Sequence, residues 1–320
     1  MHSNKNPLVR CLATTLAAIL VLALSAGAKD VHSDAGTSGF PFLKINVGAR
    51  AVAMGGAFTG LADDESAIYY NPAGLAGTEE NRFILGYHNY FTDIQSGLAG
   101  AIFRLDDQST VGAYANYLNY GEFDATDVQG NETGETFGGG DLLLGVAYAR
   151  NFGYNWKAGA TVKFIYEKLE EYSATGGAVD LGIKYTGNRE RLGLGLAVLN
   201  LGSQFSALGD EKYGLPLSVR AGVSYRPIGL PLVLVSDVIV PNDNDVDVAI
   251  GVEYHELSPI YFRMGWSSFG SNYKIQGSDS NWAGFAVGAG FDIKNLHIGY
   301  ALQGAADLGE THRITFSGNL

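Results

Sequence analysis

Cysteine is almost missing from this chain: one residue, Cys11, among 320. That excludes a disulfide scaffold and any cysteine-rich metal site. Proline is scarce at 8 residues, and the glycines follow no Gly-X-Y period, so collagen is excluded as well. Basic residues are outnumbered, 21 Lys and Arg against 33 Asp and Glu, for a net charge of -12. The basic face that a nucleic-acid partner needs is therefore lacking. Charged residues of both signs make up only 17% of the chain and apolar ones 46%, which excludes bulk disorder. Long apolar runs are also missing: no segment approaches the length of a membrane-crossing helix. A membrane location would thus require a closed barrel.

Glycine, by contrast, is plentiful at 44 residues, with 18 Tyr and 16 Phe beside it. The mean hydropathy is only +0.04. Such a composition fits a sheet with one apolar face and one small or polar face.

Residues 1–28 read as an address. Lys5 and Arg10 precede an apolar run over 11–24, and Ala26-Gly27-Ala28 has the small-x-small form that signal peptidase cuts. The run is shorter than the roughly 20 residues a spanning helix needs, so a cleaved leader is favoured over an anchor. Cys11 lies before the run and not after it, which disfavours a lipoprotein signal.

From Phe83 onward the dominant signal has period two. Val246, Val248, Ile250, Val252 and Tyr254 alternate with Asp247, Ala249, Gly251 and Glu253, and Phe285, Val287, Ala289, Phe291 and Ile293 alternate with Gly284, Ala286, Gly288, Gly290 and Asp292. Runs of this kind predict strands at 83–91, 96–104, 109–120, 141–150, 155–167, 177–185, 192–199, 215–226, 232–240, 246–254, 260–269, 282–293, 296–302 and 312–320. Most match the 9 to 11 residues of a tilted transmembrane strand. Short turns alternate with longer loops, the latter at 121–140, 168–176, 200–214 and 270–281. The expectation is an all-β fold: an antiparallel transmembrane β-barrel of about 14 strands, as in outer-membrane proteins. A large secreted sandwich or propeller is the competing architecture, disfavoured by strand length and by the loop asymmetry.

Alternation assigns the faces. Val, Leu, Ile and Phe point outward, with Tyr166, Tyr185, Tyr225, Tyr254, Trp266 and Tyr300 towards strand ends as an aromatic girdle. Lys163, Asp180, Lys184, Arg220, Asp247, Glu253, Arg263 and Asp292 point inward among Gly and Ala. Inward glycines, among them Gly222, Gly251, Gly265, Gly284, Gly288, Gly290 and Gly299, leave room for something in the lumen.

Residues 29–82 differ in character and are expected to plug the barrel formed by 83–320. Arg50, Met54, Gly55 and Gly56 lie in a stretch dense in small residues. The glycine pair permits positive φ or close backbone approach. Asp63 or Asp64 is placed to cap a short helix over 65–70, which Asn71-Pro72 ends before Gly74.

In that order, Gly48-Ala49-Arg50-Ala51, Met54-Gly55-Gly56-Ala57-Phe58, Ala62-Asp63-Asp64 and Tyr70-Asn71-Pro72-Ala73-Gly74-Leu75 resemble the N-terminal signature of the PorV/PorQ family, a branch of the FadL-like outer-membrane barrels. Weaker matches follow, including Ala178-Val179-Asp180-Leu181-Gly182, Asn200-Leu201-Gly202, Gly251-Val252-Glu253-Tyr254 and Arg263-Met264-Gly265. The resemblance implies a fourteen-stranded barrel closed by an N-terminal hatch. It further implies either a non-enzymatic part in type IX protein secretion, with secretion-system and exported proteins as partners, or FadL-like transport of a hydrophobic ligand. Outer-membrane lipid and lipopolysaccharide would surround the barrel in both cases.

Catalytic patterns are not found. The six histidines show no H-E-x-x-H spacing, and neither a Gly-x-Ser-x-Gly elbow nor a phosphate-binding loop is present. No metal or cofactor is expected. Asp243, Asp245 and Asp247 alternate like the start of a calcium loop, but Val248 stands where such a loop needs glycine and no suitable glutamate follows. A solvated loop, bridging to lipopolysaccharide through divalent ions, is the preferred reading.

Overall fold

The computed structural model describes residues 32–91, 94–187, 189–273 and 282–320. The leader assigned to 1–28 lies outside the described residues.

The period-two pattern resolves into strands β1 (Arg82–Asn89), β2 (Gln95–Arg104), β3 (Ser109–Thr126), β4 (Glu132–Phe152), β5 (Trp156–Leu169), β6 (Tyr172–Gly187) and β7 (Leu192–Ser206), continued by β8 (Ser218–Tyr225), β9 (Leu232–Pro241), β10 (Asp247–Tyr254), β11 (Ile260–Ser267), β12 (Phe285–Ile293), β13 (Leu296–Gly304) and β14 (Glu310–Asn319). Each pairs antiparallel with its sequence neighbours, and β1 pairs with β14 through Arg82↔Asn319 to His88↔Arg313, which closes the barrel. Closure removes the free edges that an open sheet would expose. The outer face carries exposed Val146, Val162, Phe164, Leu181, Ile183, Leu196, Phe262 and Met264.

Three loop expectations need correction. Residues 121–140 are not a loop: β3 and β4 run on as a ladder past Asn119, with Phe123 opposite Phe137 and Asp124 opposite Thr136. The turn itself is small. Asp127 Oδ1 accepts from the Gln129 and Asn131 amides, both at 2.9 Å, and Gly130 supplies φ 85°. Gly138-Gly139-Gly140 offers little side chain to pack in a strand, but cross-strand pairing outweighs that local weakness. Likewise β5, β6 and β7 extend through most of 168–176 and up to Ser206. In the opposite sense, Gly284 belongs to a turn at φ 77°, and β12 starts only at Phe285.

Residues 40–77 lie inside the barrel, and almost all of them are buried. This lumen segment enters at the rim of the longer loops, where the Gly39 amide donates to the Gly214 carbonyl at 2.9 Å. Helix α1 (Ala49–Ala53) packs on β12 and β13. The chain then follows the inner wall across β11, β10, β9 and β8, turns through helix α2 (Ala67–Tyr70), and passes a 3-10 turn over Pro72–Gly77 against β4, β5 and β6. It leaves at the short-turn rim, where β1 begins. Phe40, Phe42, Phe58, Leu61, Ile68, Tyr69, Tyr70 and Leu75 form one apolar cluster with wall residues Leu143, Ile165 and Val235. Each such large side chain contributes about 1.5–3 kcal/mol on burial.

Candidate functional site

The lumen segment touches the wall where the wall has no side chains. A Cβ on Gly251 would lie 2.6 Å from the Met54 carbonyl oxygen, and one on Gly265 would lie 2.7 Å from Met54 Cα. In the reverse direction, a Cβ on Gly55 would meet the Trp266 carbonyl at 2.6 Å, and Gly55 also has φ 71°. The same backbone-to-backbone approach recurs between Gly60 and Gly222, and between Pro72 and Gly159. What Gly222, Gly251, Gly265, Gly288 and Gly299 accommodate is thus the chain's own N-terminal segment, whereas Gly284 faces Ser267 and Gly270, and Gly290 faces Arg263 and His297. Gly56 has φ 81°, and Gly74 is enclosed by Ala62 and Ala67, each 2.8 Å from where its Cβ would be.

Near the short-turn rim the segment is held by charge. Arg50 reaches Glu253 on β10 with two bonds of 2.8 and 2.9 Å, Asp63 at 2.6 Å and Asp64 at 3.0 Å. Arg263 on β11 shares Glu253 at 2.7 Å, and Arg226 binds Asp63 at 2.7 Å. Lys184 donates to the carbonyls of Leu61 and Ala62. Burial would push the Asp63 carboxyl up, yet Arg50, Lys184 and Arg226 together hold it below the usual carboxylate range. Burial likewise disfavours the Arg50 cation, but Asp63 and Glu253 reverse the balance and leave it firmly charged. Both groups are therefore ions at neutral pH. A bidentate Arg–carboxylate pair fixes geometry as well as charge.

The middle of the segment is held by neutral and mixed contacts. Asp237 on β9 accepts from the Phe58 and Thr59 amides at 3.0 and 2.8 Å. Asn71 donates to the Thr59 carbonyl at 3.0 Å and the Ile183 carbonyl at 3.2 Å, while its Oδ1 accepts from Ala73. Tyr69 and Tyr70 donate to the Leu43 and Val47 carbonyls, each at 2.9 Å. Both rings are buried in the apolar cluster. Helix α2 begins at Ala67 and not at Glu65, and Asp64 Oδ1 accepts from the Ser66 amide at 2.8 Å.

The inward charges divide into groups. Lys184, Glu253 and Arg263 join the Arg50 network. Arg220 sits 5.8 Å from the Tyr70 ring. Lys163 and Asp180 form a buried pair at 2.6 Å, completed by Asn200, whose amide donates to Asp180 at 2.7 Å and whose Oδ1 accepts from Lys163 at 2.8 Å. Asn200 has φ 63° and lies at a register shift in the β6–β7 ladder. Asp292 stays at the short-turn rim, where it accepts from Tyr261 at 2.6 Å and meets His297. Asp247 is far from these groups, hydrogen-bonded to Ser268 at 3.2 Å.

The solvated-loop expectation for Asp243 is wrong. Its side chain is only 2% exposed and is paired with Lys44 of the lumen segment. Among the described residues no group of three or more acids and histidines is placed to hold a metal. Asp237, Lys44, Asn200 and the Arg82–Glu65 pair were not anticipated. Asp237 left a trace, a lone charge within the apolar run 232–240. Lys44 and Asp243 left none, being 199 residues apart.

On the outer face, behind Met54 and Gly55, lies an apolar depression of about 320 Å³ lined by Leu234, Ile250, Val252, Met264, Trp266 and Phe285. Gly251 and Gly265 line it and, on their other side, touch the backbone of Met54 and Gly55.

No family model matches the chain. A curated relative, the UPF0164 protein of Treponema pallidum (strain Nichols), is 24% identical over 240 residues, or 66% of this chain and 54% of that protein. The chain thus spans about half the length of that relative. Among solved structures, the Pseudomonas putida toluene transporter TodX superposes with a TM-score of 0.61 at 14% identity, over 85% of this chain and 96% of that one. The fold is that of the FadL-like outer-membrane barrels. The CymD monoaromatic hydrocarbon channel (TM-score 0.56, 12% identity, 85% and 96% covered) and a Pseudomonas aeruginosa FadL homologue (0.54, 12%, 90% and 98%) share it. FadL-like architecture therefore stands on the fold, while the narrower PorV/PorQ likeness rests on the motifs of the lumen segment.

Proposed function

We propose that this chain is a non-enzymatic outer-membrane conduit that passes hydrophobic small molecules around a displaceable lumen segment. The observation that carries the reading is the closure itself. The lumen is filled by a segment that meets the wall at glycine backbone and is held at the short-turn rim by the Arg50–Asp63–Asp64–Glu253 network, contacts that break without covalent change. Two further points support it: the fold shared with proteins described as hydrocarbon channels, and the apolar depression, which lies at the lower end of the size range of small-molecule pockets. Outer-membrane location, with lipid and lipopolysaccharide around the apolar face, belongs to the same reading. The test is uptake of radiolabelled toluene and of a long-chain fatty acid by cells with and without the protein, together with native mass spectrometry of protein purified from its own outer membrane. Faster uptake and a retained apolar ligand are expected. Equal uptake of both probes, with an empty barrel carrying stoichiometric protein partners, would overturn it.

A second reading, a docking component of type IX secretion, is favoured by the PorV/PorQ-like motifs and by the projecting β3–β4 hairpin, whose Phe123 and Phe137 rings pair at 5.5 Å. Deletion of 121–140 without loss of exported protein at the cell surface would remove that reading.

A further inference from the structure

The path of the lumen segment has a consequence for what the cell displays. Both termini of the barrel wall lie at the short-turn rim: Arg82 opens β1 beside Asn319, which ends β14. The lumen segment, however, begins at the opposite rim. Its first anchors are the Gly39–Gly214 hydrogen bond, Gly39 and Phe40 against Gln204 and Gly176 near the long-loop ends of β7 and β6, and the Lys44–Asp243 pair in the loop after β9. Its last anchors, Asp63 with Arg226, Glu65 with Arg82 and Gly77 beside Lys157, are at the short-turn rim. The chain therefore traverses the whole lumen before it becomes wall. Ser33 to Thr37 are exposed, arranged in turns in which Thr37 Oγ1 donates to the Asp34 carbonyl at 2.8 Å.

We propose that residues 32–38 are displayed on the outer surface of the cell, so that the described chain is threaded outside to inside through its own barrel. This rests on the outer-membrane reading above, with the short turns in the periplasm. The arm is then a handle. An extracellular agent that binds residues 32–38 acts on the seat of Phe40 and the Lys44–Asp243 pair without entering the lumen.

Single-cysteine labelling tests the proposal, because the native chain has only Cys11 and the wild type serves as its control. Ser33→Cys, Val128→Cys in the β3–β4 turn and Tyr154→Cys in the β4–β5 turn are each made in the full-length protein. Intact cells are treated with a membrane-impermeant maleimide, before and after permeabilisation. The expected result is that Ser33→Cys labels on intact cells to the same extent as Val128→Cys, while Tyr154→Cys labels only after permeabilisation. If Val128→Cys labels on intact cells and Ser33→Cys does not, the threading is overturned and the barrel reading stands. If Tyr154→Cys labels on intact cells and Val128→Cys does not, the barrel orientation itself is wrong and the display proposal falls with it. Heat-dependent mobility in SDS confirms that each variant is a folded barrel.

Discussion

The two ends of the lumen segment are held in different ways. At the long-loop rim, Phe40 and Phe42 enter the apolar cluster and, among the described residues, the Lys44–Asp243 ion pair ties the segment to the wall. At the short-turn rim, Arg50 and Arg226 meet Asp63, Asp64 and Glu253 in a branched network that also takes in Arg263. Apolar packing is non-directional and tolerates small displacements. A branched network of partly buried ions is directional and fails as a unit once its hub is removed. The difference points to a segment that is clamped at the short-turn rim and seated at the long-loop rim.

Removing the hub should break the contrast most strongly. Arg50→Ala leaves Glu253 with Arg263 and Asp63 with Arg226 but takes the shared cation from all three carboxylates, a loss of about 3 kcal/mol, the low end for breaking a buried pair. Hydrogen exchange of the detergent-solubilised barrel should show amide protection lost across 48–64 and kept in β3 to β5. Unchanged protection would mean that the network does not hold the segment. The next largest effect is steric. Gly265→Ala drives a methyl into the Met54–Gly55 backbone, an overpacking cost of about 1–3 kcal/mol. Faster uptake of hydrophobic probes is expected in this variant, with the barrel still heat-modifiable in SDS.

A smaller effect is expected at the seated end. Lys44→Gln replaces a charge-assisted bond to Asp243 by a neutral one, about 1 kcal/mol. Exchange should then quicken at residues 40–45 only. Loosening as broad as that of Arg50→Ala would erase the distinction between the two ends. The least response should come from mild acid. The Asp63 pKa is depressed by its cations in the folded state, so its stabilising contribution is complete above the ordinary carboxylate value of about 3.9. It fades only as pH falls through the lower folded-state value. Protection of residues 62–64 should therefore be level from neutral pH to about 5 and decline below about 4. A decline already at pH 6 would place a different group in control.

Much of the wall was legible in the sequence because strand geometry is local. Val248, Ile250 and Val252 alternate with Asp247, Ala249, Gly251 and Glu253, so the two faces follow from the pleat alone. The loop at 121–140 was misread because glycine and charge look like loop wherever cross-strand partners are unseen. Phe123 opposite Phe137 emerges only when the hairpin is formed. In the lumen segment, Arg50, Asp63, Asp64 and Asn71 stand out as polar residues in a stretch of small ones. Their partners do not, since Glu253 lies 203 residues away from Arg50. Asp237 went unnoticed for a related reason. A lone acid in an apolar strand has no evident purpose until two amides, those of Phe58 and Thr59, are brought to it.

The scarcity of cysteine, the surplus of glycine and the period-two alternation were enough to specify a barrel with an apolar outside and a small-residue inside, because these are properties of composition and of neighbouring residues. What occupies the inside, which charges meet and which rim receives the N-terminal arm were settled only when β1 paired with β14 around the lumen segment. Those contacts join residues far apart in the chain, and their partners are set by strand order and register, which no local stretch of sequence contains.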